Sequence, residues 1–143
     1  MIYTELTVKA SKIAYEAHQG QVDKIGMPYI FHPMHLAEQM DDEVSTCAAI
    51  LHDVVEDTDV TMEDLEKEFP AEVIEVLKLL THPKGEPYMD YIHRVITNPV
   101  AKKIKIADMT HNMNEQRADL LGSPEAREYF KKKYEQPWKV LHE

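Results

Sequence analysis

Between Ala48 and Val60 the chain reads AAILHDVVEDTDV. Six consecutive positions there hold one imidazole and three carboxylates: His52, Asp53, Glu56 and Asp57. Imidazole and carboxylate together suit a borderline or hard divalent cation. On a helix, residues four apart share a face, which stacks His52 under Glu56 and Asp53 under Asp57. Neighbours such as His52 and Asp53 diverge by about 100° around the axis. They can converge only beyond the helix end or where a partner helix crosses. Acids near a helix C-terminus oppose the macrodipole at about 0.3–1 kcal/mol each, and a cation would offset that cost. The plainer alternative is a solvated helix end with its acids in water. Ile50, Leu51, Val54 and Val55 interleave with the polar groups and predict burial along one side.

Other chemistry-bearing residues lie in two further stretches. His32 stands in YIFHP, between an apolar run and a proline; a loop histidine of this kind is commonly a capped polar residue. Asp108 stands in KIADMTHNM beside Ile104, Ile106 and Ala107. A carboxylate in such a stretch implies a partner, because burying it unpaired is expensive. Asn112 lies one turn on, over the same face, and Lys105 lies three residues before. An internal salt bridge to a lysine of its own helix is the simple account of Asp108.

The elements that must position these groups read as helices throughout, and the expected fold is all-α. Thr4 can cap a first helix running to about His18. GQVDKIGMPYIFHP follows as a loop, and Pro33 can open a short helix through Met40. Asp41 or Asp42 caps the helix that carries the opening motif. Thr61 with Asp64 forms a capping box for a short helix ending near Phe69. Pro70 starts AEVIEVLKLLTH, and YMDYIHRVIT is a further helix. Asn98 and Pro99 start a long one by the N-cap and N1 preferences. The last begins at Ser123, and Pro137 is expected to break or kink it.

The 143 residues fit one domain, with 43% hydrophobic content and enough length for a substantial core. A net charge of −10 repels nucleic-acid polymers and anionic membrane surfaces. A phosphorylated small molecule remains compatible if a metal or local lysines neutralise it. No apolar run approaches the roughly 20 residues needed to cross a bilayer. The N-terminus lacks a signal-peptide pattern, and the lone Cys47 excludes a disulfide framework. These features place the expected location in the cytoplasm. No exposed apolar stripe indicates a dimer, so the oligomeric state is left open.

Three motifs then stand in register: H..GQ..K.G.PYI.HP (His18 to Pro33), ILHDVVEDT (Ile50 to Thr58) and K.AD..HNM (Lys105 to Met113). In this order they resemble the HD-domain metal-dependent phosphohydrolases. The likeness is greatest to the hydrolase domain of RelA/SpoT-type proteins and their small stand-alone relatives, which remove the 3′-pyrophosphate from guanosine tetraphosphate and pentaphosphate. It is strongest over 4–120, within a single HD domain of 1–143 that closes with a C-terminal helix at 123–143. The resemblance implies a helical bundle with a metal site between helices. It makes His32, His52, Asp53 and Asp108 the metal ligands, manganese the usual metal, and Glu56 and Asp57 the pair that positions or activates water. It assigns Lys24 and Asn112 to the nucleotide, and Lys105 is expected to help neutralise its phosphates.

The chain departs from that family at the residues that read the substrate. Asp23 stands where the family usually has an arginine that helps to hold the guanine base, and Asn114-Glu115 stand where Arg-Thr often follows. The expected function is metal-dependent hydrolysis of a phosphoester or pyrophosphate bond in a nucleotide such as (p)ppGpp. The alternative is a nucleotide-binding or sensing module with little turnover. His18 and His111 could support the site from behind or simply pack. Tyr88, Tyr91 and Arg94 could roof a pocket, with a core or surface role the plainer account, and His82 is assigned to the surface or to structure.

Overall fold

The computed structural model describes residues 1–143, apart from the side chain of Glu115. Its helices, in chain order, are α1 (Glu5–Ala17), α2 (Phe31–Glu38), α3 (Glu43–Leu51), α4 (Val54–Asp57) and α5 (Met62–Glu66). They continue as α6 (Ala71–Leu80), α7 (Tyr88–Val95), α8 (Pro99–Asn112), α9 (Glu115–Asp119) and α10 (Pro124–Leu141). Among the described residues there is no strand; a lone antiparallel bridge, Val22 to Pro28, closes the loop after α1. Among the described residues no helix is long and apolar enough to cross a membrane.

Local chemistry fixes most of the starts. Thr4 and Thr7 bond reciprocally at the head of α1, and Thr61 and Asp64 do the same at α5. Asp42 accepts from the Ser45 amide, Asn98 from Val100 and Ala101, and Ser123 from Ala126. Each such cap supplies a partner for an amide that the helix itself leaves free.

The centre of the molecule is α3, in which every residue from Ser45 to Leu51 is buried. α1, α2, α6 and α8 pack around it, and α10 lies across α7 and α8. Ala48 and Ala49 are fully buried on α3, and their small side chains let neighbours approach closely. Ile50, Leu51, Leu36, Leu77, Ile92 and Ile104 fill the core between the helices. Each such side chain contributes roughly 1.5–3 kcal/mol on burial.

Several boundaries differ from the sequence expectation. α2 begins at Phe31, so Pro33 lies inside its first turn; a proline there removes no bond, because first-turn amides have no helical partner. α5 stops at Glu66, short of Phe69. Pro70 caps α6 from outside it, and α9 is an extra short helix capped by Asn114. α10 runs through Pro137 without a break. Pro137 is buried, and the packing holds the helix together there despite the missing donor.

The largest difference lies in the opening motif. The expected single helix is two, with His52 as the C-cap of α3 and Asp53 as the N-cap of α4. Both residues keep right-handed helical backbone angles. At this junction His52 Nε2 and Asp53 Oδ2 come to 2.9 Å of each other.

Candidate metal centre and flanking cavities

The junction meets α2 and α8. His32, in the first turn of α2, and Asp108, in the last half of α8, face His52 and Asp53. One ligand atom from each of the four lies within 4.8 Å of all the others. His32, His52 and Asp108 are buried, and Asp53 is partly so.

The donor set suits a divalent cation, and His52 shows why. Its Nδ1 lies 2.7 Å from the Ala49 carbonyl oxygen, which can only accept, so the proton sits on Nδ1. Nε2 is the nitrogen left for a second proton or a metal ion, and it is buried and directed into the cluster. It lies 2.9 Å from Asp53 Oδ2 and 3.6 Å from Asp108 Oδ1. Two carboxylates facing this nitrogen call for positive charge between them, either a proton on Nε2 or a metal ion. Burial alone would lower the His52 pKa, but Asp53 and Asp108 reverse this and hold it well above the usual value. The same field that draws a proton draws a metal ion. Fixing the far ring nitrogen on a backbone carbonyl is a recurrent support for a ligating histidine.

Each donor has further support. The Tyr29 hydroxyl donates to Asp53 Oδ2. His32 places Nε2 2.8 Å from Asp108 Oδ1 and Nδ1 2.7 Å from His111 Nδ1, and the His32 and His111 rings stack at 4.9 Å. Burial, then the nearby Arg117 charge, lower the His111 pKa to about 4. Asn112 Nδ2 donates to Asp108 Oδ1 at 3.3 Å, and Lys105 Nζ donates to Asp108 Oδ2 at 2.9 Å. The salt bridge expected as the simple account of Asp108 is therefore present, and it coexists with the four-donor cluster. Burial opposes the charge on both partners. Their mutual attraction overrides it, holding Asp108 well below and Lys105 well above their usual ranges.

Two cavities border the cluster. The larger, about 770 Å³, is lined by Lys24, Asp57, Asn112 and Arg117 among others. That is within the range of small-molecule sites. The smaller, about 190 Å³, is lined by Glu56, His82, Tyr88 and Lys105 among others. Asp53, Asp108, Lys133 and Tyr134 border both. Glu56 and Asp57, adjacent on α4, thus serve different cavities, as the ~100° between neighbours requires. Burial first, and then Asp53 among the other causes, raise the pKa of each. The backbone N–H of His82 donates to Glu56 Oε1.

Of the residues singled out in the sequence, Lys24 sits 3.5 Å from the Phe130 ring centroid, at the wall of the larger cavity. The Glu115 side chain lies outside the described residues, while Asn114 caps α9. Sequence reasoning missed Tyr29, although it lies inside the first motif. It also missed Arg117 and the Phe130, Lys133 and Tyr134 group of α10, whose i, i+3, i+4 spacing was the available signal. His82, assigned to the surface or to structure, lines the smaller cavity, as do Tyr88 and Tyr91, for which a pocket role was the alternative reading.

A family profile described as HD domain matches residues 10–117. The bifunctional (p)ppGpp synthase/hydrolase SpoT of Escherichia coli (strain K12) is 38% identical over 120 residues, covering 73% of this chain and 17% of that protein. The chain therefore spans less than a fifth of that relative. The guanosine-3′,5′-bis(diphosphate) 3′-pyrophosphohydrolase MESH1 of Mus musculus is 32% identical over 139 residues, covering 86% of this chain and 78% of that protein. A solved structure of a metazoan ortholog of SpoT, described as hydrolysing ppGpp and acting in starvation responses, matches at a TM-score of 0.78. It is 25% identical, over 99% of this chain and 85% of that one. The chain belongs to the HD domain family.

Proposed function

We propose that the chain is a metal-dependent pyrophosphohydrolase, a single HD domain of 1–143 that removes the 3′-pyrophosphate of a guanosine nucleotide such as (p)ppGpp. The observation that carries this is the four-donor cluster bordered by two cavities, with the buried His52 Nε2 aimed into it. The MESH1 likeness, which runs along most of both chains, supports the substrate class.

In this reading His32, His52, Asp53 and Asp108 hold the metal, with Mn2+ the expected ion. When bound, it supplies Lewis-acid polarisation of a phosphoryl oxygen and acidifies nearby water. The chain's own groups do the rest. Asp57 or Glu56, each with a raised pKa, orients the attacking water and accepts its proton. The water oxygen adds to phosphorus, the bond from that phosphorus to the ribose 3′ oxygen breaks, and the 3′ oxygen takes up a proton. Lys24, Lys105 and Lys133 offset phosphate charge that the net −10 of the chain would otherwise repel. Asn112 holds Asp108 in place from the wall of the larger cavity.

Purified protein with manganese, given ppGpp and a panel of other nucleotides, should release pyrophosphate, detected separately from phosphate. Asp53→Ala should abolish release while keeping the helical circular-dichroism signal. Tight nucleotide binding with no turnover by the unaltered chain would replace this reading with that of a sensing module.

A further inference from the structure

The Asp23 carboxylate lies against the larger cavity but is fully engaged. It accepts from the backbone N–H groups of Ile25 and Met27, both at 3.0 Å, and from Arg117 Nη2 at 2.9 Å. Arg117 Nη1 donates to the His111 carbonyl oxygen at 2.8 Å. The Arg117 side chain is 19% exposed and the Asp23 side chain 11%, so this is a shielded ion pair. Partners 94 residues apart in sequence meet at the wall of the larger cavity.

Three cations border that cavity: Lys24, Arg117 and Lys133. Lys24 is drawn onto the Phe130 ring. Lys133 also borders the smaller cavity, beside Tyr88 and Tyr134. Both lysines are point charges suited to phosphate. Arg117 alone of the three is planar, and two acceptors fix its plane. A guanidinium carries five N–H groups; two are spent on Asp23 and His111, and three remain. A fork of this kind matches the adjacent O6 and N7 acceptors of guanine. Adenine places an N6 amino donor beside N7, which a guanidinium cannot accept.

We propose that Arg117, clamped by Asp23 and the His111 carbonyl, is the base-reading residue of the larger cavity and selects guanine over adenine. Asp23 is then a positioning residue whose carboxylate never meets the substrate phosphates. The clamp also fixes the distance from base to metal cluster, because His111, which holds Arg117, stacks on His32. This rests on reading the larger cavity as the nucleotide site.

The test is calorimetric binding of guanosine 5′-diphosphate and adenosine 5′-diphosphate to the manganese-loaded full chain. Neither ligand carries a 3′-phosphate, so binding is read apart from release of a 3′-pyrophosphate. The unaltered chain should prefer the guanosine ligand. Arg117→Ala should weaken that ligand by about tenfold or more, with less than about threefold change for the adenosine ligand. Arg117→Lys, which keeps charge without the fork, should fail to restore the preference. Asp23→Asn should lose part of it. Thermal midpoints within a few degrees of the unaltered chain certify folding, and if Arg117→Ala falls outside that window, Arg117→Lys carries the comparison. An unchanged guanosine-to-adenosine ratio in the folded variant overturns the assignment, as does an unaltered chain with no preference. Failure of the hydrolase reading would appear elsewhere, as no pyrophosphate release despite guanosine-selective binding.

Discussion

Asp108→Asn in metal-stripped protein isolates what this carboxylate does for the fold. The Lys105 side chain is 13% exposed and pairs with Asp108 at 2.9 Å. Removing one partner of a buried pair leaves the other charge uncompensated, at about 3–5 kcal/mol. Part of that is returned, because Asp53 sits across the cluster and loses a like-charged neighbour. A net loss of about 2–4 kcal/mol remains. For a chain of this size each kcal/mol moves the midpoint by about 3–4 °C, so Tm should fall by about 6–16 °C. Asp108→Asn with Lys105→Met should recover most of that loss, since no buried ammonium is then stranded. The double variant should still fail to gain stability from manganese. The unaltered chain should gain about 2.7 kcal/mol at a metal concentration 100 times Kd. Thermal and urea unfolding followed by far-ultraviolet circular dichroism, with and without manganese, read these quantities. An unshifted midpoint for Asp108→Asn would refute the salt-bridge reasoning. A double variant stabilised by manganese like the unaltered chain would refute the role of Asp108 as a ligand.

Tyr29→Phe should weaken manganese binding by about tenfold or more, because the hydroxyl that orients Asp53 is gone; competition with a fluorescent chelator measures it. The folded His111 pKa of about 4 lies below the usual value near 6.5. Its contribution to stability is therefore fully present above pH 6.5 and is lost as pH falls toward 4. Metal-stripped protein should lose about 1–2 kcal/mol over that window from this residue, after allowance for solvent screening, and His111→Asn should flatten the loss in urea titrations. Pro137→Ala should raise Tm, by restoring an amide donor to the Lys133 carbonyl, worth up to about 3 kcal/mol; a fall in Tm would mean that the proline ring's packing outweighs the missing bond.

What the sequence made legible was chiefly local. Thr4, Asp42, Thr61 with Asp64, Asn98 and Ser123 each cap through contacts within three residues, so spacing alone locates them. The all-α class followed from the same signals. The four-donor cluster was assembled on paper by resemblance, since nothing in periodicity joins His32 to Asp108 across 76 positions. The junction at His52–Asp53 was not legible, because both residues keep helical backbone angles and only the hydrogen-bond ladder is interrupted. The Asp23–Arg117 pair was invisible for a related reason. Asp23 read as a lost arginine, and its compensation lay far along the chain on a short helix with little apolar pattern. Pro137 misled because the rule against helix-interior proline weighs one missing bond, whereas tertiary burial acts on the whole last turn.

The complete burial of α3 has a consequence for how the molecule comes apart. An amide on that helix can trade its hydrogen with solvent only when the surrounding helices let go, so Cys47 to Leu51 should be among the last to exchange. The imidazole at the end of α3 is thus moored to the slowest-opening part of the protein. The loop holding Asp23 and the short α9 holding Arg117 contain no buried position among their described residues, so their amides should exchange sooner.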